Sequence, residues 1–236
     1  MCGRFTLYSP AATIATLFDL EMSTVDTPPL PPRYNIAPTQ PVAIVRVKPG
    51  NPEREWALTK WGFVPSWSKD PTIGAKMINA RSETVAEKPS FRAAFKRRRC
   101  LVPTDGFYEW QKPPSGSTSK RKQPYYIGMA DSQPFAVAGL WESWAGTDGS
   151  VLETCTLLTT TPNALMEPIH NRMPVIIEPD EYDDWLGDGR DADRTYQDHL
   201  RHLMRPYPAE RMQAYPVDTY VSNARNEGAT CIERLS

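Results

Sequence analysis

CLVPTDGFYEWQ, residues 100–111, contains two short apolar runs that meet at a Thr-Asp-Gly turn. Short runs rich in branched and aromatic residues, bounded by Asp and Gly, are typical of β-strands. We therefore predict one strand before the turn and one after it. The second strand carries one carboxylate, Glu109, on the same face as Phe107 and Gln111, because side chains alternate along a strand.

Runs of the same kind recur along the chain and predict a structure built mainly from short strands. Proline supplies 24 of the 236 residues, and proline ends helices and central strands. The pattern predicts an α+β fold in a single domain over residues 1–236. The other predicted strands are PVAIVRV, EWALTKWGF, PYYIGMA, PFAVAGL, TCTLLTTT and MPVIIE.

Only a few helices are predicted. Ser9 is expected to cap a helix that has Pro10 in its first position, because apolar residues follow at helical spacing. The segment PPSGSTSKRK, residues 113–122, is expected to be a flexible hairpin tip between two strands. Further short helices are expected at 90–98, after Pro179 and at 191–203.

The composition excludes several classes of function. The chain has 27 Lys and Arg against 28 Asp and Glu, so a site for a polyanion must be a local patch. The four cysteines are widely spaced and joined by only three histidines, which predicts neither a metal site nor a disulfide framework. There is no apolar run of membrane-spanning length and no signal segment. We expect a cytoplasmic protein without a cofactor, a metal or membrane contact.

The chain begins with MCGRF, and this gives Cys2 a special chemical position. Removal of Met1 would leave Cys2 as the N-terminal residue, with a free α-amine and a thiol on adjacent carbons. An internal cysteine offers only its thiol, because its nitrogen belongs to an amide. Cys2 is therefore a candidate nucleophile, although a cysteine in second place can also be an ordinary residue with no catalytic role.

Three further segments carry polar side chains that could form a site. KMINARSET puts Asn79 and Arg81 just after a short apolar strand, and PIHNRMP puts His170 and Arg172 between two prolines. Glu109 lies among aromatic residues, where desolvation would raise its pKa and let it act as a general acid near neutral pH. Each segment also has a structural interpretation, as a turn former, a polar loop residue or a paired carboxylate.

The order of these segments along the chain is more specific than any one of them. They are MCGRF, RYNIAPTQ, WGFVPSW, INARSET, DGFYEW, QPYYI, the block TTTPN to IHNRMPV, and VSNARNEGA. Together they resemble the SRAP family, the SOS-response-associated peptidases or abasic-site-processing proteins. The resemblance implies a single SRAP-like domain whose short mixed or antiparallel strands form a curved, barrel-like sheet with a few peripheral helices.

The resemblance also implies a reaction. Family members capture abasic sites in single-stranded DNA through an N-terminal cysteine, which here is Cys2 after Met1 is removed. The amine would form a Schiff base with the C1′ aldehyde, and the thiol would then close a thiazolidine ring on the same carbon. Glu109 would protonate the sugar ring oxygen, Asn79 would hold the Cys2 amine and thiol, and His170 would assist proton transfer. Self-removal of Met1 and strand cleavage by a lyase reaction are expected side activities.

DNA-binding residues follow from the same resemblance. Arg4, Arg81 and Arg172 would clamp phosphates beside the lesion, while Trp67 and Pro38 would stack on or wedge beside neighbouring bases. Further candidates are Asn35, Trp110 and, on weaker grounds, the basic run at 96–99. The expected partner is single-stranded DNA with an abasic site, including sites at junctions with double-stranded DNA. We expect a monomer that associates with the nucleoid when it is bound to DNA.

Two functions from other classes remain open on the residues alone. Class II glutamine amidotransferases also begin with Met-Cys-Gly and use an N-terminal cysteine, but Arg4 and the lack of an Asn-Gly pair argue against them. A non-catalytic module that binds single-stranded or modified DNA would need only the arginines and tryptophans. In that case Cys2 would have no chemical role.

Overall fold

The structure is a computed structural model that describes residues 2–20, 31–47, 53–118, 120–187 and 194–235. These residues form thirteen β-strands, four α-helices and five 3₁₀ helices. The strands are β1 Phe5–Leu7, β2 Arg33–Ile36, β3 Pro41–Val47, β4 Arg54–Trp61, β5 Asn79–Arg81, β6 Arg99–Thr104, β7 Gly106–Gln111, β8 Gln123–Met129, β9 Phe135–Ala145, β10 Val151–Thr160, β11 Met173–Pro174, β12 Ile176–Ile177 and β13 Met212–Pro216. The α-helices are α1 Ala11–Leu17, α2 Arg92–Arg97, α3 Tyr182–Leu186 and α4 Arg194–Leu203. The 3₁₀ helices are Pro71–Lys76, Pro179–Glu181, Ala209–Arg211, Thr219–Ser222 and Ala229–Ile232.

Five strands close into a barrel. β10, β4, β3, β6 and β9 are hydrogen-bonded in that order, and β9 pairs with β10 to complete the ring. Neighbours in the ring are antiparallel except β10 and β4, which are parallel. β5 and β11 add to β10, and β12 adds to β9. The predicted α+β class and the barrel-like sheet are confirmed.

A second sheet of five antiparallel strands lies against the barrel, in the order β13-β8-β7-β1-β2. Phe5 of β1 meets Trp61 of β4 edge to face, with ring centroids 5.2 Å apart, and both side chains are buried. Aromatic pairs in this arrangement add stability beyond the area that they bury. The beginning of the chain is therefore fixed where the sheet meets the barrel.

The eight predicted strands are present, and the last of them is divided. MPVIIE forms β11 and β12, which pair with different barrel strands, and the Val175 amide between them donates to the Leu158 carbonyl at 2.9 Å. The prediction missed β1, β2, β5 and β13, because strands of three to five residues are too short to show a clear period. Asn79 and Arg81 consequently lie within a strand, β5, and not after one.

The predicted helices at 90–98 and after Pro179 are confirmed as α2 and α3, and the one at 191–203 as α4, with 191–193 outside the described residues. The capping prediction at the first helix was wrong, since Pro10 occupies the N-cap position of α1. The Ser9 hydroxyl and amide both donate to the Asp105 carboxylate, the amide at 2.8 Å. Within the described ranges, no helix has the length and apolar character needed to cross a membrane.

The hairpin predicted between two strands is also present. β7 and β8 pair from Gly106 and Gly128 out to Gln111 and Gln123, so residues 112–122 connect two antiparallel strands. Ser119 lies outside the described residues. The flexibility of this tip stays a prediction.

Candidate active site

Cys2 lies at the junction of the two sheets. The Tyr108 amide donates to the Arg4 carbonyl at 3.0 Å, which continues the pairing of β1 with β7 toward the beginning of the chain. Cys2 is only 1% exposed, and its Sγ lies 3.9 Å from the Arg4 carbonyl oxygen. The backbone thus brings Cys2 alongside the part of β7 that carries Glu109.

Asn79 reaches Cys2 from the barrel side. β5 pairs with β10, and from that position the Asn79 Nδ2 donates to the Cys2 carbonyl oxygen at 2.8 Å. The sequence suggested a contact with the Cys2 amine and thiol, whereas the contact observed is with the carbonyl. The Asn79 Oδ1 is buried and accepts no hydrogen bond from a described residue. Asn79 therefore keeps a buried acceptor within the side chain that contacts Cys2.

Glu109 and His170 form the other side of the site. The Glu109 Oε1 lies 3.8 Å from the His170 Nδ1, and Glu109 is 3% exposed. Burial raises the pKa of Glu109 and lowers the pKa of His170, because in both cases it penalises the charged form. The His170 Nδ1 lies 3.1 Å from the Arg172 amide nitrogen and 3.3 Å from the Arg172 carbonyl oxygen, so the backbone of Arg172 positions the ring.

The Cys2 thiol is strongly biased toward its protonated form. Burial is the main cause, and the negative charge of Glu109 adds to it, so the pKa of Cys2 rises to about 12. A thiolate is therefore rare at neutral pH.

Arg4, Asn35 and Trp110 form a second group beside Cys2. The Arg4 guanidinium donates to the Asn35 Oδ1 at 2.6 Å and to the Val221 carbonyl at 2.9 Å, and it lies 5.7 Å from the centre of the Trp110 ring. The Trp110 Nε1 donates to the Ser222 hydroxyl at 3.0 Å. These contacts attach the start of the chain to the 3₁₀ helix Thr219–Ser222.

The direct DNA contact expected of Asn35 is not available in this conformation. Asn35 is fully buried, and its Nδ2 donates to the carbonyls of Val221, Asn223 and Asn226 at 2.8–3.2 Å. Its Oδ1 already accepts from Arg4. Asn35 therefore organises the segment around residues 221–226.

Arg81 and Arg172 meet at Thr159 of β10 but differ in their partners. Arg81 pairs with Thr159 along the strand, its side chain is exposed, and no described residue accepts a hydrogen bond from its guanidinium. Arg172 is mostly buried and donates to both Glu83 carboxylate oxygens and, at 2.5 Å, to the Thr159 carbonyl. A phosphate at Arg172 would compete with Glu83, whereas one at Arg81 would not.

The remaining DNA-contact candidates lie apart from this cluster. Trp67 is 62% exposed and Pro38 is half-buried, and among the described residues no hydrogen bond or ring contact joins either to Cys2, Asn79 or Glu109. The basic run at 96–99 ends in Arg99, which is buried and donates to the carbonyls of Phe95, Lys96, Trp185 and Gly187. Arg99 is structural, so the weaker DNA-contact prediction is wrong for this residue.

Sequence reasoning missed two features of the site. Glu83 lies within the INARSET segment but was not recognised as the partner of Arg172, which is 89 residues away along the chain. Gln111 was noted only for the face it shares with Glu109, yet its Nε2 donates to the Pro168 carbonyl at 3.0 Å. This hydrogen bond joins the end of β7 to the segment that carries His170.

Comparison with known proteins identifies the class to which this fold and site belong. Residues 1–224 match the family model described as SOS response associated peptidase (SRAP). A crystal structure of a protein from Bacteroides thetaiotaomicron is similar over the whole of both chains, with a TM-score of 0.84 and 26% identity. The chain belongs to the SRAP family, as the sequence resemblance implied.

Two curated relatives carry names that describe a function. The chain is 42% identical over 233 residues to the abasic site processing protein YoqW of Bacillus subtilis, which covers 99% of both chains. It is 34% identical over 206 residues to the abasic site processing protein HMCES of Xenopus tropicalis, covering 78% of this chain and 58% of the relative.

Proposed function

We propose that this protein processes abasic sites in single-stranded DNA by capturing them covalently through Cys2, once Met1 has been removed. The names of its relatives support the substrate. The observation that carries the chemistry is the convergence of Asn79 and Glu109 on Cys2, with His170 beside Glu109. The reaction is a single turnover, and it needs one DNA strand and one protein monomer.

The proposed chemistry follows from the two nucleophiles of an N-terminal cysteine. The Cys2 amine attacks the C1′ aldehyde of the open-chain sugar, and loss of one water gives an imine. The thiol then adds to the imine carbon while its proton passes to the nitrogen, which closes a five-membered thiazolidine ring. The second step is favoured because both reactants are already joined.

The pKa of the thiol supports an order in which the amine reacts first. In the chain that includes Met1, burial raises the pKa of the Cys2 thiol to about 12, and a buried thiol that stays protonated is a poor initial nucleophile at neutral pH. An α-amine has a reference pKa of about 7.7–8.0, so a useful fraction of it is neutral. The buried thiol then reacts with an imine carbon held next to it, where a low thiolate fraction is offset by proximity.

The neighbouring residues have matching roles. Glu109, whose pKa burial raises, donates the proton that opens the sugar ring to its aldehyde. The buried Asn79 Oδ1 accepts a hydrogen bond from the Cys2 amine after Met1 is removed. His170, whose pKa burial lowers, is neutral at physiological pH and accepts protons released when the imine forms or reverses.

Intact-mass spectrometry with an abasic oligonucleotide tests this proposal. Protein lacking Met1 should gain the mass of the oligonucleotide minus one water, and the adduct should survive heating. Cys2→Ser keeps the amine but cannot form a thiazolidine, so it should give at most a reducible imine or strand cleavage. Cys231→Ser, which removes another buried cysteine, should react as the wild type does. A heat-stable adduct with Cys2→Ser, or with protein that retains Met1, would refute the mechanism.

A further inference from the structure

The hairpin between β7 and β8 carries a cluster of exposed cations beside the candidate active site. Its residues 112–122 include Lys112, Lys120, Arg121 and Lys122 and no acidic residue, and all four cations are exposed. The proposed reaction uses none of them.

The base of the hairpin is tied to the site. Gln111 and Gln123 are the last paired residues of β7 and β8, and the Gln111 side chain donates to the Pro168 carbonyl at 3.0 Å. Lys122 is close enough for its positive charge to lower the pKa of both Glu109 and His170. The cationic segment of the hairpin therefore starts next to the candidate active site, near His170.

The tip of the hairpin is exposed to solvent at residues 114–118. It turns at residues 114–117, where the Ser117 amide donates to the Pro114 carbonyl at 3.0 Å. A Cβ atom added at Gly116 would have no heavy atom within 4 Å. An arm of about five residues reaches at most about 17 Å, which is enough to follow several nucleotides.

We infer that this hairpin is a DNA-binding arm that contacts the phosphates of the strand flanking the abasic site on one side only. The inference deepens the proposed function and depends on it for the position of the lesion. Lys112, Lys120 and Lys122 are exposed lysines in a segment whose sequence has no acidic residue, and exposed lysines attract a polyanion irrespective of its sequence. The overall net charge of -1 makes such a local patch necessary for DNA binding.

Binding to oligonucleotides that carry a non-reactive tetrahydrofuran analogue tests the arm. Three oligonucleotides would place the analogue at the centre, at the 5′ end or at the 3′ end. Lys120→Gln with Lys122→Gln should weaken binding to the central-lesion oligonucleotide and to just one of the two end-lesion oligonucleotides. If each lysine contacts one phosphate, the salt slope should fall by about 1.4, so a rise from 50 to 200 mM salt weakens wild-type binding about sevenfold more than variant binding.

The matched control is Lys60→Gln with Lys88→Gln, which removes two exposed lysines outside the hairpin and should leave all three affinities unchanged. An equal loss in the control pair, an equal loss on both end-lesion oligonucleotides, or no loss in the hairpin pair would overturn the inference. Covalent capture is scored separately, with a reactive abasic oligonucleotide and the wild type. A hairpin effect without capture would reject the proposed function alone, and capture without a hairpin effect would reject the arm alone.

Discussion

Burial acts in opposite directions on the pKa values of Glu109 and His170, the two residues proposed to transfer protons. It raises the pKa of Glu109 and lowers the pKa of His170, so the uncharged form of each is favoured. A neutral carboxylic acid can donate a proton, and a neutral imidazole can accept one. In the proposed reaction these two groups, 3.8 Å apart, would serve as the acid and the base.

Glu109→Gln should separate chemistry from binding. Glutamine keeps the shape and hydrogen-bonding reach of the side chain but has no transferable proton. We expect crosslinking to an abasic oligonucleotide to slow by about 10²–10⁴-fold, the usual range for general acid catalysis. Affinity for the tetrahydrofuran analogue should change little. A variant that crosslinks at the wild-type rate would make Glu109 a structural carboxylate.

Glu109→Gln should also change the pH dependence of the crosslinking rate. In the wild type, crosslinking should fall at low pH as the Cys2 amine is protonated, and at high pH as Glu109 loses its proton. Because burial raises the pKa of Glu109, the high-pH decline should begin above the range of an exposed glutamate. Glu109→Gln should lose that decline and keep the low-pH one. Time courses from pH 5 to 9 measure both limbs, and an unchanged high-pH limb in the variant would assign it to another group.

Arg81 and Arg4 should respond differently to removal. Arg81 is exposed without a described acceptor, so Arg81→Ala should make the salt slope for single-stranded DNA shallower by about 0.7 and change stability by less than about 0.5 kcal/mol. Arg4→Ala removes the donor to Asn35 and to the Val221 carbonyl, which should cost about 1–3 kcal/mol. Thermal unfolding and salt-dependent binding check both. A stability loss in Arg81→Ala would point to a structural role instead.

At the scale of elements, the turn after β4 sets the position of β5 and hence of Asn79. The Gly62 amide donates to the Cys155 carbonyl at 2.8 Å, and the Trp61 Nε1 donates to the Ile78 carbonyl at 2.9 Å. Gly62 has a φ of +138°, and a Cβ atom there would lie 2.7 Å from the Gly74 carbonyl oxygen. The close approach of the two glycine segments is thus possible only without a side chain.

Gly62→Ala should destabilise the protein by about 1–3 kcal/mol from backbone strain, with the contact to Gly74 adding to it. Each 1 kcal/mol corresponds to a fall in Tm of roughly 2–4 °C for a protein of this size. Gly149→Ala is the matched control, because Gly149 also has a positive φ, +83°, but nothing within 4 Å of an added Cβ. Equal losses of Tm in the two variants would show that the contact with Gly74 carries no cost.

At the scale of the whole molecule, the C-terminal residues complete the surroundings of the N-terminus. Val217, Val221 and Cys231 pack with Tyr108 and Tyr126 in a small core separate from the main one. Asn35 connects the two ends of the chain. Its Nδ2 donates to three carbonyls between residues 221 and 226, and its Oδ1 accepts from Arg4. The last part of the chain therefore holds the first part in place.

Asn35→Ala should therefore lower stability and not simply remove a DNA contact. Leaving buried carbonyls without a donor costs about 1–3 kcal/mol, which is a fall in Tm of at least roughly 2–4 °C. Thr230→Ala, which removes an exposed side chain in the same part of the chain, should have little effect. Thermal unfolding measured without DNA tests whether Asn35 stabilises the protein. Wild-type stability in Asn35→Ala, together with weaker DNA binding, would restore the contact role that the sequence suggested.

The sequence determined the longer strands, the α+β class and the candidates for chemistry. Apolar runs such as CLVPT and GFYEWQ carry their own strand signal, because alternation and β-branching are local properties. Cys2 is fixed as a candidate by its position after Met1. The ordered segments also identified the family, which the match over residues 1–224 confirms.

Only the tertiary structure decided what the polar residues do. Arg4, Arg81 and Arg172 look equivalent in sequence, but Arg4 donates to a carbonyl 217 residues away and Arg172 to a carboxylate 89 residues away, while Arg81 is exposed. The pairing of β9 with β10, which closes the barrel, could not be predicted from the sequence either. Hydrogen-bond partners, burial and the resulting pKa shifts depend on which distant segments pack together, and no local pattern encodes that packing.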